Sequence, residues 1–138
     1  MFNVLSDINW LSVLVAFIAY FLLGPLWYLF LFPKQYRISL GKAPDAQLSQ
    51  DPIYIVGPAV CTLAITLTST VLLYALNSTS YNDAVSFTVL VGVGYLVANT
   101  INIAINPNIP RPFLYGVITG SYHLIGTLLV SVILIAMK

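Results

Sequence analysis

Residues 113–137 read FLYGVITGSYHLIGTLLVSVILIAM, 25 positions without a Lys, Arg, Asp or Glu. At 1.5 Å per residue this run makes a helix roughly 37 Å long, enough to cross a hydrocarbon core about 30 Å thick. Three further stretches share the property: residues 8–32, 53–76 and 85–105. Every formal charge falls between these runs or at a terminus. Hydrocarbon imposes that segregation, because an ionised side chain at a helix centre costs at least ~2.5 kcal/mol on insertion scales.

The whole-chain composition agrees. Of 138 residues, 59% are hydrophobic and 7% charged, with a mean hydropathy of +0.95. Soluble domains carry about 25% charge, so a water-soluble globule, a disordered tail and a nucleic-acid binder are all excluded as readings. The alternating segments of a membrane β-barrel are absent from the sequence. The fold class expected is all-α: a polytopic integral membrane protein, a bundle of four transmembrane helices in a single membrane domain spanning residues 1–138.

Charge placement gives a direction. The loop at 33–52 carries Lys34, Arg37 and Lys42, and the loop at 106–112 carries Arg111. The intervening loop has Asp83 and no cation. The excess of cations on one side places loops 33–52 and 106–112 in the cytoplasm of a cell membrane, with both termini outside. The first run is read as a retained span, since no cation precedes it and it is too long for a secretory signal. Loop 33–52 is read either as a short amphipathic piece at the headgroups, carried by Tyr36, Ile38 and Leu40, or as a solvated linker.

Inside the runs, polar residues are placed with a period. Thr88, Gly92, Tyr95, Asn99, Asn102 and Asn106 fall within about 80° on an ideal α-helix, as do Gly116, Gly120, His123, Thr127 and Ser131. Gly116 and Gly120 form a small-xxx-small pair suited to close helix approach, and Gly24 and Gly92 join them as packing positions. Counting depth from the loops brings Tyr20, Thr62, Tyr95 and His123 to a common level near the bilayer middle. These four, with Asn99 and Asn102, are the candidate binding or polar-pathway residues. His123 is the one side chain in a run that titrates near neutral pH, and intramembrane ionisable groups are functional candidates. Trp10, Trp27, Tyr28, Tyr54, Tyr74 and Tyr115 lie toward span ends and read as an interfacial belt.

Catalytic signals are lacking: the runs offer one His and one Cys, too few for a metal centre. Ser121 sits two residues from His123 and points away from it on a helix. No catalytic residue, metal ligand or cofactor is expected. The expected partners are the lipid bilayer and further copies of the chain, and the small molecule or ion it would handle stays open.

Ile8-Asn9-Trp10-Leu11, followed by Ala16, Tyr20, Gly24 and Leu26-Trp27-Tyr28, together with Gly120-Ser121-Tyr122-His123-Leu124, resembles the small bacterial membrane proteins grouped as the domain-of-unknown-function 1761 family. The resemblance implies four membrane helices and marks Asn9, Trp10, Tyr20, Gly24, Trp27, Tyr28, Tyr122 and His123 as characteristic positions. It implies no activity. Leu29 to Phe32 separate the Trp-Tyr pair from Pro33, and the proline-rich Asn106 to Pro112 replaces the usual charged residues; both depart from the family's pattern. Two functional readings remain. One is a small oligomeric transporter or channel-like protein with a polar midplane cluster, and the other is a non-catalytic structural or accessory membrane subunit whose polar residues serve packing.

Overall fold

The computed structural model describes residues 2–138. Four helices are long and apolar enough to cross a membrane: α1 (Trp10–Leu31), α3 (Ile53–Ala75), α4 (Tyr81–Ala104) and α5 (Pro112–Ala136). A short α2 (Pro33–Ser39) follows α1, and a 3₁₀ turn at Phe2–Ser6 precedes it. Among the described residues there is no strand. The chain is an all-α, multi-pass membrane protein.

Helix ends are set by local chemistry. Asn9 caps α1, its side-chain oxygen accepting from the amides of Leu11 and Ser12; this satisfies donors that have no partner inside the helix. Pro25 lacks an amide hydrogen, and from Leu26 to Leu31 the backbone runs in π register, with the Phe32 amide bonded to Trp27 O at 2.9 Å. The proline therefore appears as a change of helix type. Ser80 and Asp83 form a reciprocal capping box that starts α4 at Tyr81, earlier than residue 85, where the uncharged run begins. Asn77 ends α3 at φ 52°, and Gly41 ends α2 at φ 71°. In both cases the next amide reaches back, Ser78 to Leu73 O and Lys42 to Arg37 O, each at 3.0 Å. These are Schellman closures, whose left-handed residue Asn and Gly tolerate best.

α5 is the central helix. Half of its apolar window is buried (50%), against 28%, 22% and 28% for α1, α3 and α4. α1 and α4 pack on it from different sides, α3 packs mainly on α1, and α2 folds back against α5. α3 and α4 barely meet; a shallow apolar groove lined by Ala64, Thr68, Leu72, Val91 and Leu96 lies between them. Large apolar side chains such as Phe30, Leu90 and Phe113 cover the outside, a surface suited to acyl chains.

The two chain ends meet the turn between α3 and α4. Asn9 Nδ2 donates to Met137 O at 2.7 Å, the Asn9 amide donates to the Tyr74 hydroxyl at 3.1 Å, and Lys138 Nζ donates to Ser78 O at 2.8 Å. The Lys138 ammonium also stands 4.6 Å from the Tyr74 ring centre. The opposite end holds α2 and the turn carrying Arg111.

Candidate functional site

α1 and α5 bring Tyr20 and His123 together at the centre of the bundle. The Tyr20 oxygen lies 2.7 Å from His123 Nδ1, and the Tyr20 side chain is fully buried. With the imidazole protonated at Nε2, the phenol donates and Nδ1 accepts. The two rings stand nearly perpendicular, at 88°. Gly126, three residues after His123 on the same face of α5, makes room for the tyrosine. A Cβ at Gly126 would fall 2.6 Å from Tyr20 Cζ and closer still to two other ring carbons.

A ladder of aromatic rings leads away from this pair. Tyr122 lies 5.4 Å from Tyr20 and 5.3 Å from Tyr28, Tyr28 lies 4.6 Å from Tyr36, and Tyr36 lies 6.1 Å from Tyr115. The rungs alternate between α1, α5 and α2, so the ladder ties the short helix to the bundle. Burial, with Tyr115 and Tyr54 nearby, pushes the Tyr36 phenol up to about 12. Trp27 is buried and its indole N–H donates to Ile118 O at 2.9 Å. Trp27, Tyr28 and Tyr74 thus leave the interfacial belt in which their positions near span ends place them, whereas Trp10 and Tyr54 are exposed.

Thr62 is buried on α3, but its hydroxyl is used locally, donating to Pro58 O at 2.8 Å and Ala59 O at 3.1 Å. The same holds for Thr66, Thr70, Thr88, Thr127 and Ser131, each bonded to the carbonyl four residues back. Such back-bonding engages the single donor of each hydroxyl inside its own helix. Thr119 departs from this pattern, its buried Oγ1 making no hydrogen bond.

The stripe on α4 splits. Thr88 and Gly92 are buried, while Tyr95, Asn99 and Asn102 are exposed, Tyr95 by 74%. The residues that turn inward further on are Thr100 and Ala104. The cause is the backbone: Thr88–Val97 is π-helical, and the Ala98 amide bonds to Val93 O. Longer i→i+5 rings take more residues per turn, so the buried face follows steps of four (Ala84, Thr88, Gly92, Thr100, Ala104) with Leu96 half-buried in between. Tyr95 therefore does not join Tyr20 and His123, and the expected midplane cluster is reduced to that pair, with Thr62 bonded only within its own helix.

Among the packing glycines, a Cβ would meet Ile101 Cγ1 at 2.9 Å from Gly116, Leu124 Cδ1 at 3.0 Å from Gly92 and Val97 Cγ1 at 3.2 Å from Gly120. Those three sit at close crossings of α4 and α5. At Gly24 a Cβ would meet nothing nearer than the Tyr122 hydroxyl at 3.6 Å, an ordinary contact. Gly126 and Thr100 have no place in the polar stripes drawn at 100° per residue. Gly126 was legible in principle, since positions three apart on a helix are neighbours.

The family model described as a protein of unknown function, DUF1761, matches residues 11–135, nearly the whole chain. The chain belongs to that family. Comparison with curated proteins and with solved structures gives no match.

Proposed function

We propose that this member of the DUF1761 family is a non-catalytic structural or accessory subunit of a cell membrane, in which the interior polar residues hold helices together. One observation carries the reading: inside the bundle, most polar groups are paired with each other or with their own helix, Thr119 being an exception. Tyr20 is bonded to His123 and sealed from the surface, and the hydroxyls of Thr62, Thr66, Thr70, Thr127 and Ser131 are consumed by back-bonds. A route for ions or polar solutes needs groups free to exchange partners. The cations at Lys34, Arg37, Lys42 and Arg111 support an orientation with α2 and the α4–α5 turn in the cytoplasm and the tied chain ends outside.

A second reading is favoured by the outward position of Tyr95, Asn99 and Asn102: a conduit formed between several copies, lined by this face of α4. Reconstitution into liposomes separates the two. The structural reading expects proton and monovalent-ion flux equal to that of protein-free liposomes, together with a lower melting temperature for His123→Ala. Flux above that background, reduced by Asn99→Leu, would overturn it in favour of the conduit.

A further inference from the structure

The outer face of α4 carries a feature that a lone chain in lipid leaves unsatisfied. Tyr95, Asn99 and Asn102 are exposed and lie along one side. The side-chain hydrogen bonds of α4 are those of Asp83 in the capping box and of Thr88, so neither amide nor the phenol has a partner. Measured from Ala104 at 1.5 Å per residue, Asn99 lies about 7 Å and Tyr95 about 13 Å along the helix. Asn102 is close enough to the helix end to reach headgroups, whereas Asn99 and Tyr95 are held among acyl chains, where an unpaired polar group is costly.

Beside these residues the backbone is bare. A Cβ on Gly94 would meet nothing within 4 Å, and Ala98, one turn on, is exposed. Gly94 and Ala98 therefore form a small-xxx-small pair open to the outside, where a second helix can come close enough for interhelical hydrogen bonds. The inward glycines of the α4–α5 crossing are filled by Ile101, Leu124 and Val97, and this outward pair is not. α4 also packs chiefly on α5, which leaves its other side free.

We infer that this face is where a second copy of the chain docks, α4 against α4, about a two-fold axis along the membrane normal. The argument for a copy is one of complementarity. Chains inserted in the same direction meet in parallel, so a two-fold axis brings residues of equal depth together: Asn99 to Asn99 and Tyr95 to Tyr95. An amide is both donor and acceptor, so two of them satisfy each other without a specialised partner. No formal charge on α4 beyond Asp83 opposes the approach. This deepens the reading of the chain as a subunit and also fits the conduit, but its test reads association and the flux assay reads transport, so the two can fail separately.

The test uses the full chain in lipid vesicles. Native Cys61 is exposed on α3 and serves as the control thiol. In a Cys61→Ser background, Ala98→Cys is oxidised with copper phenanthroline, and covalent dimer is expected, at least tenfold more than the chain retaining only Cys61 gives. Gly94→Leu, which meets nothing inside its own chain, should lower the dimer fraction seen by single-molecule photobleaching at least tenfold, as should Asn99→Leu. Neither should lower the melting temperature of the monomer in detergent. The inference is overturned if the wild type stays monomeric in lipid at all protein densities, or if Ala98→Cys cross-links no better than Cys61. It is equally overturned if the cross-linked mass in native membranes is that of a different protein, or if Asn99→Leu and Gly94→Leu leave the dimer unchanged.

Discussion

Gly126→Ala adds one methyl group at the place where α5 meets Tyr20. The added Cβ would lie 2.6 Å from Tyr20 Cζ and closer still to Cε2 and Cδ2, whereas ordinary contact begins near 3.4 Å, so the ring must retreat by more than an ångström. It has nowhere to go: Tyr20 is fully buried, Tyr122 stands 5.4 Å away, and its hydroxyl is held at 2.7 Å by His123. Overpacking of this kind costs about 1–3 kcal/mol. If the retreat also breaks the Tyr20–His123 bond, leaving a buried acceptor unpaired, a further ~1–3 kcal/mol is lost. Alanine's better helix propensity returns at most ~1 kcal/mol. With the bond broken, the net expectation is a loss of about 1–5 kcal/mol. A double-mutant cycle isolates the cause, because Tyr20→Leu empties the space the methyl needs. In that background only alanine's helix-propensity gain of up to ~1 kcal/mol should remain, giving a coupling of about 2 kcal/mol or more between neighbouring sites. The assay is reversible unfolding from detergent micelles into dodecyl sulfate, followed by tryptophan fluorescence. A Gly126→Ala protein as stable as the wild type, or an equal loss in both backgrounds, would refute this account of the α1–α5 contact.

Other substitutions probe separate parts of the structure. Tyr20→Phe keeps the ring but leaves His123 Nδ1 without its donor, and should cost about 1–3 kcal/mol in the same assay. Trp27→Phe removes the 2.9 Å bond to Ile118 O and should cost about 0.5–1.5 kcal/mol; it should also remove the blue, buried component of the emission and leave the redder light of exposed Trp10. Asn9→Ala loses the cap of α1 together with the 2.7 Å bond to Met137 O, and stability should fall by at least the ~0.5–2 kcal/mol of a lost cap. Deleting Gly94 from the π segment of α4 should shorten its wide turns toward α register and leave Thr100 and Ala104 facing inward, so the melting temperature should fall much less than on deleting Ile125 from regular α5; equal losses would contradict the π register.

The features legible in the sequence were those governed by solvent. Charge is excluded from hydrocarbon regardless of tertiary detail, so the four uncharged runs located α1, α3, α4 and α5 to within a few residues. The pairing of Tyr20 with His123 was reachable by counting depth, because α5 runs regularly to His123 and the π segment crossed on α1 is only the six residues Leu26–Leu31. The aromatic ladder was not. Trp27, Tyr28 and Tyr74 lie near span ends, where a belt accounts for them equally well, and only the packing of α2 and α5 decides that Tyr28 stacks inward on Tyr36 and Tyr122. Hydroxyl back-bonding was also hidden: Thr62 four residues after Pro58 looks the same whether it bonds to its own helix or across to another.

α4 shows why a polar stripe drawn at 100° per residue can point the wrong way. On an ideal α-helix, Ala84 and Ala104 differ by twenty steps and would lie about 200° apart, on opposite sides. Both are fully buried against the same bundle. The ten-residue π segment between them absorbs the difference, because each wider turn takes up part of a residue and brings steps of four back into phase. Positions spaced by alternating three and four, such as Tyr95, Asn99 and Asn102, then rotate away from the face that holds Thr88 and Gly92. Had α4 kept a regular α turn, the amides would have faced α5 and the bundle interior. With the π segment, small residues and a back-bonded hydroxyl line much of the inward face, Gly92 admitting Leu124 while Val97 and Ile101 fit over Gly120 and Gly116, and the exposed amides of the helix lie on its outer side. Capacity displaced in this way has no partner within one chain, and the proposed docking of a second copy would satisfy it.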